Sequence, residues 1–178
     1  MALYGNPYLS GKEQFFDENE VIVSKTDLKG NITYANRTFF KLAAVTEEEC
    51  LGVQHNLVRN PTMPRCLFKH LWDTLKSGKE IFAYVNNRSS AGDSYWVFAH
   101  VTPSRNSQGE IVGYHSNRRV PNRKVVETHI IPLYEDLLAT EKSYSSPDQG
   151  LQASMKKVDA LLKEKKMSFN EFMFSLGV

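Results

Sequence analysis

The chain has 178 residues, of which 41% are hydrophobic and 11% aromatic, enough to fill one ordinary domain with an appendage. Its formal charge of +2, with Lys and Arg spread among acids, argues against a nucleic-acid partner. The sequence contains no run of about 18 apolar residues, the length needed to span a bilayer. Its N-terminus does not resemble a signal peptide. Cys50 and Cys66 form no metal-spaced cluster, which favours a cytoplasmic chain, or the cytoplasmic part of a longer membrane-associated receptor.

The first predicted structure is a β-hairpin. Residues 1–19 show no clear periodicity and are expected to form an N-terminal cap. VIVSK (21–25) is a β-branched run, and Asp27-Leu28-Lys29-Gly30 is a turn signal with Gly30 where a positive φ is needed. Ile32 and Tyr34 then alternate with polar residues, as in a second short strand.

A group of short helices is predicted next. Asn36 is a good N-cap for NRTFFKLA, and Thr46 with Glu49 forms a capping box that opens a second short helix. The stretch PRCLFKHLWDTLKSG (64–78) has helical spacing of Leu67, Leu71, Trp72 and Leu75. Between these helices lies HNLVRNPTMP (55–64), which is too polar for core and is stiffened by two prolines, so it should hold a definite shape.

From Glu80 the period of the apolar residues changes to two. EIFAYVNNRS, SYWVFAHVTPS and IVGYHSNRRV are expected to form three antiparallel strands joined by glycine-containing turns. Two strands, then helices, then three strands predict an α+β fold. Its natural arrangement is one five-stranded antiparallel sheet with short helices over one face.

The sequence after Pro121 is helical and charged. Residues 122–142 carry an apolar face that Pro132 should kink, SYSSPDQG (143–150) is expected to be a linker, and a second amphipathic stretch follows. Such faces need a partner surface. The predicted organisation is therefore a cap (1–19), a domain (20–120) and an amphipathic helical extension (121–178) that would contact a signalling partner or a second copy in a homodimer.

Three strings resemble one known family. TDLKGNITYANRTFFKLAAVTEEECLG resembles the entry segment of PAS domains. HNLVRNPTMP, and LWDTLKSG followed by NRSSAGDSYWV, resemble segments of the PAS domains of bacterial aerotaxis receptors, so that the similarity covers about residues 20–120. The resemblance implies a PAS fold that holds FAD non-covalently between sheet and helices. It also implies redox or oxygen sensing that signals to a chemotaxis pathway, without catalysis.

The resemblance also implies the cofactor-binding residues. Asn87 matches an asparagine that faces the flavin edge, whereas Asn86 should point to the opposite face of a regular strand. Arg59 matches an arginine of the flavin-binding segment and suits a pyrophosphate or adenine-ribose group. The family pattern has His and Asp where this chain has Asn60 and Thr62, which still offer hydrogen-bonding groups.

Four further side chains are candidates for contact with the flavin. Trp72 could stack beside the ring, and His55 and Asn56 begin the loop that should approach it. Trp96 is a weaker candidate, because packing between the sheet and a flanking helix is the more common role of such a tryptophan.

Other functions compete with FAD binding. A cofactor-free PAS domain for dimerisation or docking would use the same apolar helices. A haem-binding PAS domain would need His55 or His70 as axial ligand. The photochemical light-oxygen-voltage class needs a cysteine where this chain has NLVRNP, and an oxidoreductase would need a nucleotide-binding glycine fingerprint or an acid-base pair that the sequence lacks.

Overall fold

The computed structural model describes residues 8–177. Residues 1–7 of the predicted N-terminal cap, and Val178, lie outside the described residues. The rest of the cap is irregular and runs beside the turn after the third strand. There the Ser10 amide donates to the Gly92 carbonyl at 3.0 Å and the Gln14 amide to the Ser94 carbonyl at 2.8 Å.

Five strands form one antiparallel sheet in the order β2-β1-β5-β4-β3. Their bounds are β1 Ile22–Thr26, β2 Ile32–Ala35, β3 Ile81–Arg88, β4 Ser94–Arg105 and β5 Ile111–Arg119. Strand β1 of the first hairpin pairs with β5, the last strand, so the hairpin and the three later strands form a single sheet. The predicted α+β fold with a five-stranded antiparallel sheet is confirmed.

The inner face of the sheet is covered by short helices. Their bounds are α1 Arg37–Ala43, α2 Glu47–Cys50, a 3-10 turn at His55–Val58, and α3 Arg65–Lys76. The predicted caps are present: Asn36 Oδ1 accepts the amide of Phe39 at 3.1 Å, and Thr46 and Glu49 form a reciprocal capping box. These local hydrogen bonds explain why each helix begins where it does.

The helices after residue 120 are more continuous than the sequence suggested. They are α4 Arg123–Val125, a π-helical segment Val126–Ile130, α5 Ile131–Lys142, α6 Pro147–Lys165 and α7 Phe169–Ser175. The predicted linker at 143–150 is shorter, because Ser146 caps α6 and Pro147 occupies its first turn, where proline is tolerated. The irregularity expected at Pro132 takes the form of the π-helical segment that precedes α5.

These helices pack on their own chain. Val126, Ile130 and Leu137 are at most 1% exposed and belong to the same core as Leu75 and Tyr84. Much of the apolar face of 121–178 is therefore covered within the chain, by the β3 edge and the outer side of α3, and contact with a signalling partner or a second copy stays a prediction. An apolar helix face in a sequence indicates that the face is buried, but it does not identify the surface that buries it.

The outer edge of β3 is occupied by side chains. The Phe82 amide donates to Asn170 Oδ1 at 2.9 Å, and the Tyr84 carbonyl accepts the hydroxyl of Tyr134 at 2.7 Å. Further along, the Asn86 amide lies 3.3 Å from the Met63 sulfur. An uncovered edge strand would be open to pairing with other chains, so α5 and α7 protect this sheet as well as filling its core.

Candidate functional site

A cavity of ≈ 230 Å³ lies between α3 and the inner face of the sheet. Phe68 and Trp72 of α3 form one wall, and Tyr114 of β5 forms part of another. The ring centroids of Trp72 and Tyr114 are 5.3 Å apart at an interplanar angle of 76°. The space is therefore bounded by aromatic side chains, as expected for a site that holds a flat, mostly apolar group.

Strand alternation brings the polar residues to this cavity. Ser116 and Arg118 follow Tyr114 at intervals of two on β5, so all three share the inner face of the sheet. On β3 the same rule separates the neighbouring asparagines: Asn87 lines the cavity, whereas Asn86 is not among its lining residues.

Arg118 is a buried cation at the polar end of the cavity. It is 5% exposed, and its Nη2 donates to Ser24 Oγ at 2.8 Å and to His55 Nε2 at 2.7 Å. Burial lowers the pKa of its guanidinium to about 10. Among the residues that the structure describes, Arg118 has no carboxylate partner. A positive charge thus faces the cavity without an internal counter-ion.

His55 is neutral in this arrangement. Burial, and then the charge of Arg118, lower the pKa of the imidazole to about 3. A guanidinium can only donate hydrogen bonds, so Nε2 must accept and the ring proton is on Nδ1. Ser24 Oγ lies 3.0 Å from the same nitrogen. The three side chains form one network that holds Arg118 in place without neutralising it.

Four buried polar atoms around the cavity have no hydrogen-bond partner within residues 8–177. They are Thr26 Oγ1, Asn56 Oδ1, Ser116 Oγ and Arg118 Nη1. A buried polar group without a partner costs about 1–3 kcal/mol. The group that fits this cavity must therefore offer both hydrogen-bond donors and acceptors along its edge.

Arg59 is held between β3 and α3. Its backbone forms an isolated bridge with Asn87, and its guanidinium lies 4.3 Å from the centroid of the Phe68 ring. Its side chain lines the cavity. The segment HNLVRNPTMP thus has the definite shape that its composition predicted: a 3-10 turn, then a backbone contact with the strand that carries Asn87.

Of the side chains predicted to contact a cofactor, two do not line the cavity. Asn60 is 1% exposed, but its Nδ2 lies 3.4 Å from the Asn87 carbonyl and its Oδ1 accepts the Thr62 amide and hydroxyl. Trp96 packs beside Tyr134, with ring centroids 6.1 Å apart, which is the alternative role weighed from the sequence. Asn87, Arg59, Trp72, His55 and Asn56 all line the cavity.

Arg118 was not identified from the sequence. The available signal was its spacing from Tyr114 and Ser116 on one strand, which predicts a shared face. That spacing could not show that the face is enclosed or that His55 lies beside the guanidinium. His70, the second histidine weighed from the sequence, instead packs against Phe169, with ring centroids 4.5 Å apart.

Residues 32–118 match the sequence family described as the PAS fold. The chain contains a PAS domain. Over 139 residues, 78% of the chain, it is 37% identical to the aerotaxis receptor of Escherichia coli strain K12. Over 103 residues, 58% of the chain, it is 29% identical to the nitrogen fixation regulatory protein of Klebsiella pneumoniae. The matched segments are 27% and 21% of those two proteins, so the chain spans about a quarter of each.

Solved structures share the fold of this PAS domain. The light-state structure of the blue-light photoreceptor Aureochrome1 LOV has a TM-score of 0.54 and 21% identity, and the similarity covers 69% of this chain and 91% of that one. A light-oxygen-voltage domain studied with a flavin analogue has a TM-score of 0.55 and 16% identity, over 65% of this chain and 87% of that one. At these identities the likeness concerns the fold alone.

Membrane-spanning helices and metal-ligand clusters are both absent from residues 8–177. No helix within residues 8–177 combines the length and the apolar character needed to cross a membrane. Over the same residues, no group of three or more His, Cys, Asp or Glu side chains is placed to hold a metal ion. The two thiols are buried outside the cavity lining, and burial raises the pKa of Cys50 to about 11 and of Cys66 to about 12.

Proposed function

We propose that this PAS domain binds FAD non-covalently beneath α3 and reports redox or oxygen conditions to a chemotaxis-type signalling pathway, without catalysis. The observation that carries the proposal is the set of buried, unpartnered polar atoms on Thr26, Asn56, Ser116 and Arg118, enclosed by aromatic side chains. A flavin ring is flat, with carbonyl oxygens and ring nitrogens along one edge, and can satisfy such a set. Similarity to the aerotaxis receptor supports the same proposal.

Each part of the cavity has a role in holding the flavin. Asn87, Asn56 and Arg118 would bind the polar edge of the ring, while Trp72 and Tyr114 would pack against its apolar part. When bound, a flavin supplies reversible electron uptake, which changes the charge and protonation of its ring. Arg118 favours negative charge at its end of the cavity, because it is a buried cation without a carboxylate partner among the described residues.

His55 limits where protons can come from. Its pKa near 3 leaves no proton to release from Nε2 at neutral pH, and that nitrogen already accepts from Arg118. His55 Nε2 is therefore not the source of a proton that accompanies electron uptake. The engaged Nε2 also gives no support to the haem-binding alternative, in which this nitrogen would have to face an iron atom.

The cavity is too small to enclose a whole dinucleotide. At ≈ 230 Å³ it is smaller than the about 300–1,000 Å³ of sites that enclose a whole drug-sized ligand. The ring alone would occupy the cavity, and the phosphates and adenine would lie outside it. Arg59, a guanidinium suited to phosphate groups, lies at the cavity wall in the segment that resembles aerotaxis receptors.

Flavin retention by matched asparagine variants tests the proposal. Asn86 and Asn87 are adjacent on β3 and both buried, but only Asn87 lines the cavity. We expect wild-type protein refolded with FAD to acquire the visible absorption band of a flavin, Asn86→Ala to keep it, and Asn87→Ala to lose most of it. A wild-type protein that stays colourless after this treatment contradicts the proposal.

A second experiment separates FAD from smaller flavins. Titration with FAD, FMN and riboflavin should show the tightest binding for FAD, and Arg59→Ala should remove that preference while leaving riboflavin binding nearly unchanged. Arg59→Lys, which keeps the charge but loses the planar guanidinium, should fall between the two. Equal affinity of the wild type for all three flavins would show that the cavity recognises the ring alone.

The signalling pathway requires a test in cells. We expect this chain, placed in the Escherichia coli aerotaxis receptor in exchange for the segment that it matches, to support migration toward oxygen in a strain without the native receptor. The same exchange carrying Asn87→Ala should not. Equal migration with both versions would remove the flavin site from the signalling route.

A cofactor-free docking or homodimerisation module is the second candidate. It is favoured by the internal use of Asn60, whose side chain serves the loop rather than the cavity where the family pattern has a histidine. It predicts that FAD leaves the thermal unfolding midpoint unchanged, whereas a bound ligand raises it by mass action. Sedimentation of the same samples would show whether the chain is a dimer.

A further inference from the structure

Glu141 is a buried carboxylate at a point where three helices meet. Its Oε2 accepts the amide of Arg65, and its Oε1 accepts the amide of Cys66, each at 2.9 Å. Oε1 also accepts the hydroxyl of Ser154 at 2.9 Å. Glu141 lies on α5, the two amides begin α3, and Ser154 lies on α6. This side chain, only 9% exposed, thus joins both other helices to its own.

Helix α3 depends on this carboxylate for its N-terminal cap. Pro64 precedes the helix and provides no side-chain hydrogen bond to it. The first amides of a helix lack internal partners and carry the positive end of the helix dipole, so a carboxylate suits them well. Here the acceptor comes from a residue 76 positions later in the sequence. The start of α3 is therefore fixed by α5 rather than by its own local sequence.

The same junction fixes the crossing of α5 and α6. A Cβ atom at Gly150 would lie 2.3 Å from the Glu141 carbonyl oxygen, so a side chain at this position would force the helices apart. The Arg65 guanidinium donates to the Pro147 carbonyl at 2.9 Å, at the beginning of α6. A shift of the first turn of α3 must carry α5 and α6 with it, or break these hydrogen bonds.

The opposite side of α3 is a wall of the cavity. Phe68 comes one turn after Arg65, lines the cavity and packs against the guanidinium of Arg59. Trp72 follows one turn later on the same wall. A ligand that packs against Phe68 and Trp72 contacts a helix whose first-turn amides are hydrogen-bonded to Glu141. Packed interfaces of this kind tend to move as discrete units rather than to deform gradually.

We propose that Glu141 is a positioning residue that couples the cavity to the C-terminal helices: a ligand that binds or changes state beneath α3 shifts α5 and α6 through this carboxylate. The inference rests on the proposed function for the identity of the ligand, a flavin. A carboxylate that served stability alone would hold the helices together equally well with and without the ligand. The coupling role therefore predicts a ligand-dependent change in α5 and α6 that is reduced when the Glu141 side chain is replaced.

Hydrogen–deuterium exchange of the full chain, with and without FAD, tests this prediction. In Glu141→Gln the side-chain nitrogen cannot accept a hydrogen bond, so at least one of the three donors loses its partner. Glu135→Gln is the matched control, because Glu135 is an exposed residue of the same helix. We expect FAD to change exchange in α3 and in residues 147–165 of the wild type and the control. In Glu141→Gln the change should persist in α3 and be clearly reduced in residues 147–165, where the Arg65–Pro147 hydrogen bond remains.

Each other outcome is also decisive. A wild-type response to FAD that stops at α3, or an equal response of α6 in Glu141→Gln and wild type, overturns the coupling. If Glu141→Gln does not fold, Ser154→Ala removes the bond from Glu141 to α6 and should reduce the response of α6 while keeping that of α5. An unchanged α6 response overturns the coupling.

The inference can be judged even if the proposed function fails. A wild-type protein that takes up no flavin contradicts FAD binding by its absorption spectrum alone. The flavin-free proteins then test the premise of the coupling, that Glu141 joins α3 to α6: Glu141→Gln must raise exchange in the first turn of α3 and in α6 together. A rise confined to α3 would overturn it.

Discussion

The cavity beneath α3 and the outer edge of β3 share one strand but treat their polar groups differently. At the edge, the Phe82 amide and the Tyr84 carbonyl each have a partner supplied by the C-terminal helices. Around the cavity, Ser116 Oγ and Arg118 Nη1 have none among the described residues. The backbone groups at the edge help to hold the fold, whereas several side-chain groups around the cavity have no partner within residues 8–177.

This difference indicates where the fold gives up stability. An unpartnered buried polar group costs about 1–3 kcal/mol, and a buried cation without a counter-ion costs more. If imperfect packing were the cause, unpartnered buried atoms would be scattered through the structure. Asn86 Oδ1 also lacks a partner in the described part of the chain, but four such atoms belong to residues that line one cavity, which is the pattern expected when a ligand offsets them.

The largest effect should come from the helix-covered region. Leu137→Ala removes a side chain that is 1% exposed, in a core shared by α5, α3 and β3, and should lower the free energy of unfolding by about 2–5 kcal/mol. Urea denaturation should still show one transition, because the C-terminal helices and the sheet form one folding unit. Leu28→Ala, at a residue 54% exposed, is the control and should cost less than about 0.5 kcal/mol. Two separate transitions would contradict the shared core.

Arg118→Met should lower the affinity for flavin without lowering the stability of the flavin-free protein. The affinity for flavin should fall about 10- to 100-fold, because a charged hydrogen-bond donor contributes about 1.5–3 kcal/mol. The flavin-free protein should be at least as stable as wild type, since a buried unpaired charge is removed. Arg119→Met, at the exposed neighbour, should change neither quantity. A large loss of stability without flavin would mean that Arg118 is structural.

Acidification should destabilise the cavity region through His55. The pKa of its imidazole is about 3 in the folded protein against about 6.5 in an unfolded chain, so the unfolded state binds more protons between these values. Stability should fall as pH drops below about 6.5, with a limiting slope near 1.4 kcal/mol per pH unit, and should not depend on His55 above it. Unfolding free energies measured from pH ~5 to ~8 test this.

Two histidine variants isolate that contribution. His55→Gln keeps an oxygen that can accept from Arg118 but does not titrate, so its stability should fall less steeply in acid. His129→Gln, at an exposed residue of the C-terminal helices, should retain the wild-type slope. Equal slopes in wild type and His55→Gln would contradict the neutral, buried imidazole.

The smallest effect is expected at the edge of β3. Tyr134→Phe removes the hydroxyl that donates to the Tyr84 carbonyl at 2.7 Å and should cost about 1 kcal/mol of unfolding free energy. Flavin retention should not change, because Tyr134 does not line the cavity. Tyr34→Phe, at a residue 48% exposed, serves as the control. Loss of flavin in Tyr134→Phe would show that the two regions are not separate.

Local signals in the sequence predicted most of the sheet and its helices. The caps at Asn36 and Thr46 and the apolar spacing of α3 depend on neighbours within one or two turns, so they can be recognised without the fold. Strand alternation, together with the family resemblance, also selected Asn87 over Asn86.

The missed features depend on long-range packing. Arg118 meets Ser24 and His55 only because β5 pairs with β1 in one particular register, which no local pattern specifies. Glu141 looks like any other acid on an amphipathic helix until α5 is placed against the start of α3. In both cases the side chain type is ordinary, and its burial gives it a special role.

The protection of β3 by Tyr134 and Asn170 matters for anyone who shortens this chain. A fragment that ends near Pro121 would retain all five strands yet lose the residues that occupy the Phe82 amide and the Tyr84 carbonyl. Bare strand edges recruit one another between molecules. Oligomers or precipitates of such a fragment would then be products of the truncation, and would say nothing about how the longer protein assembles.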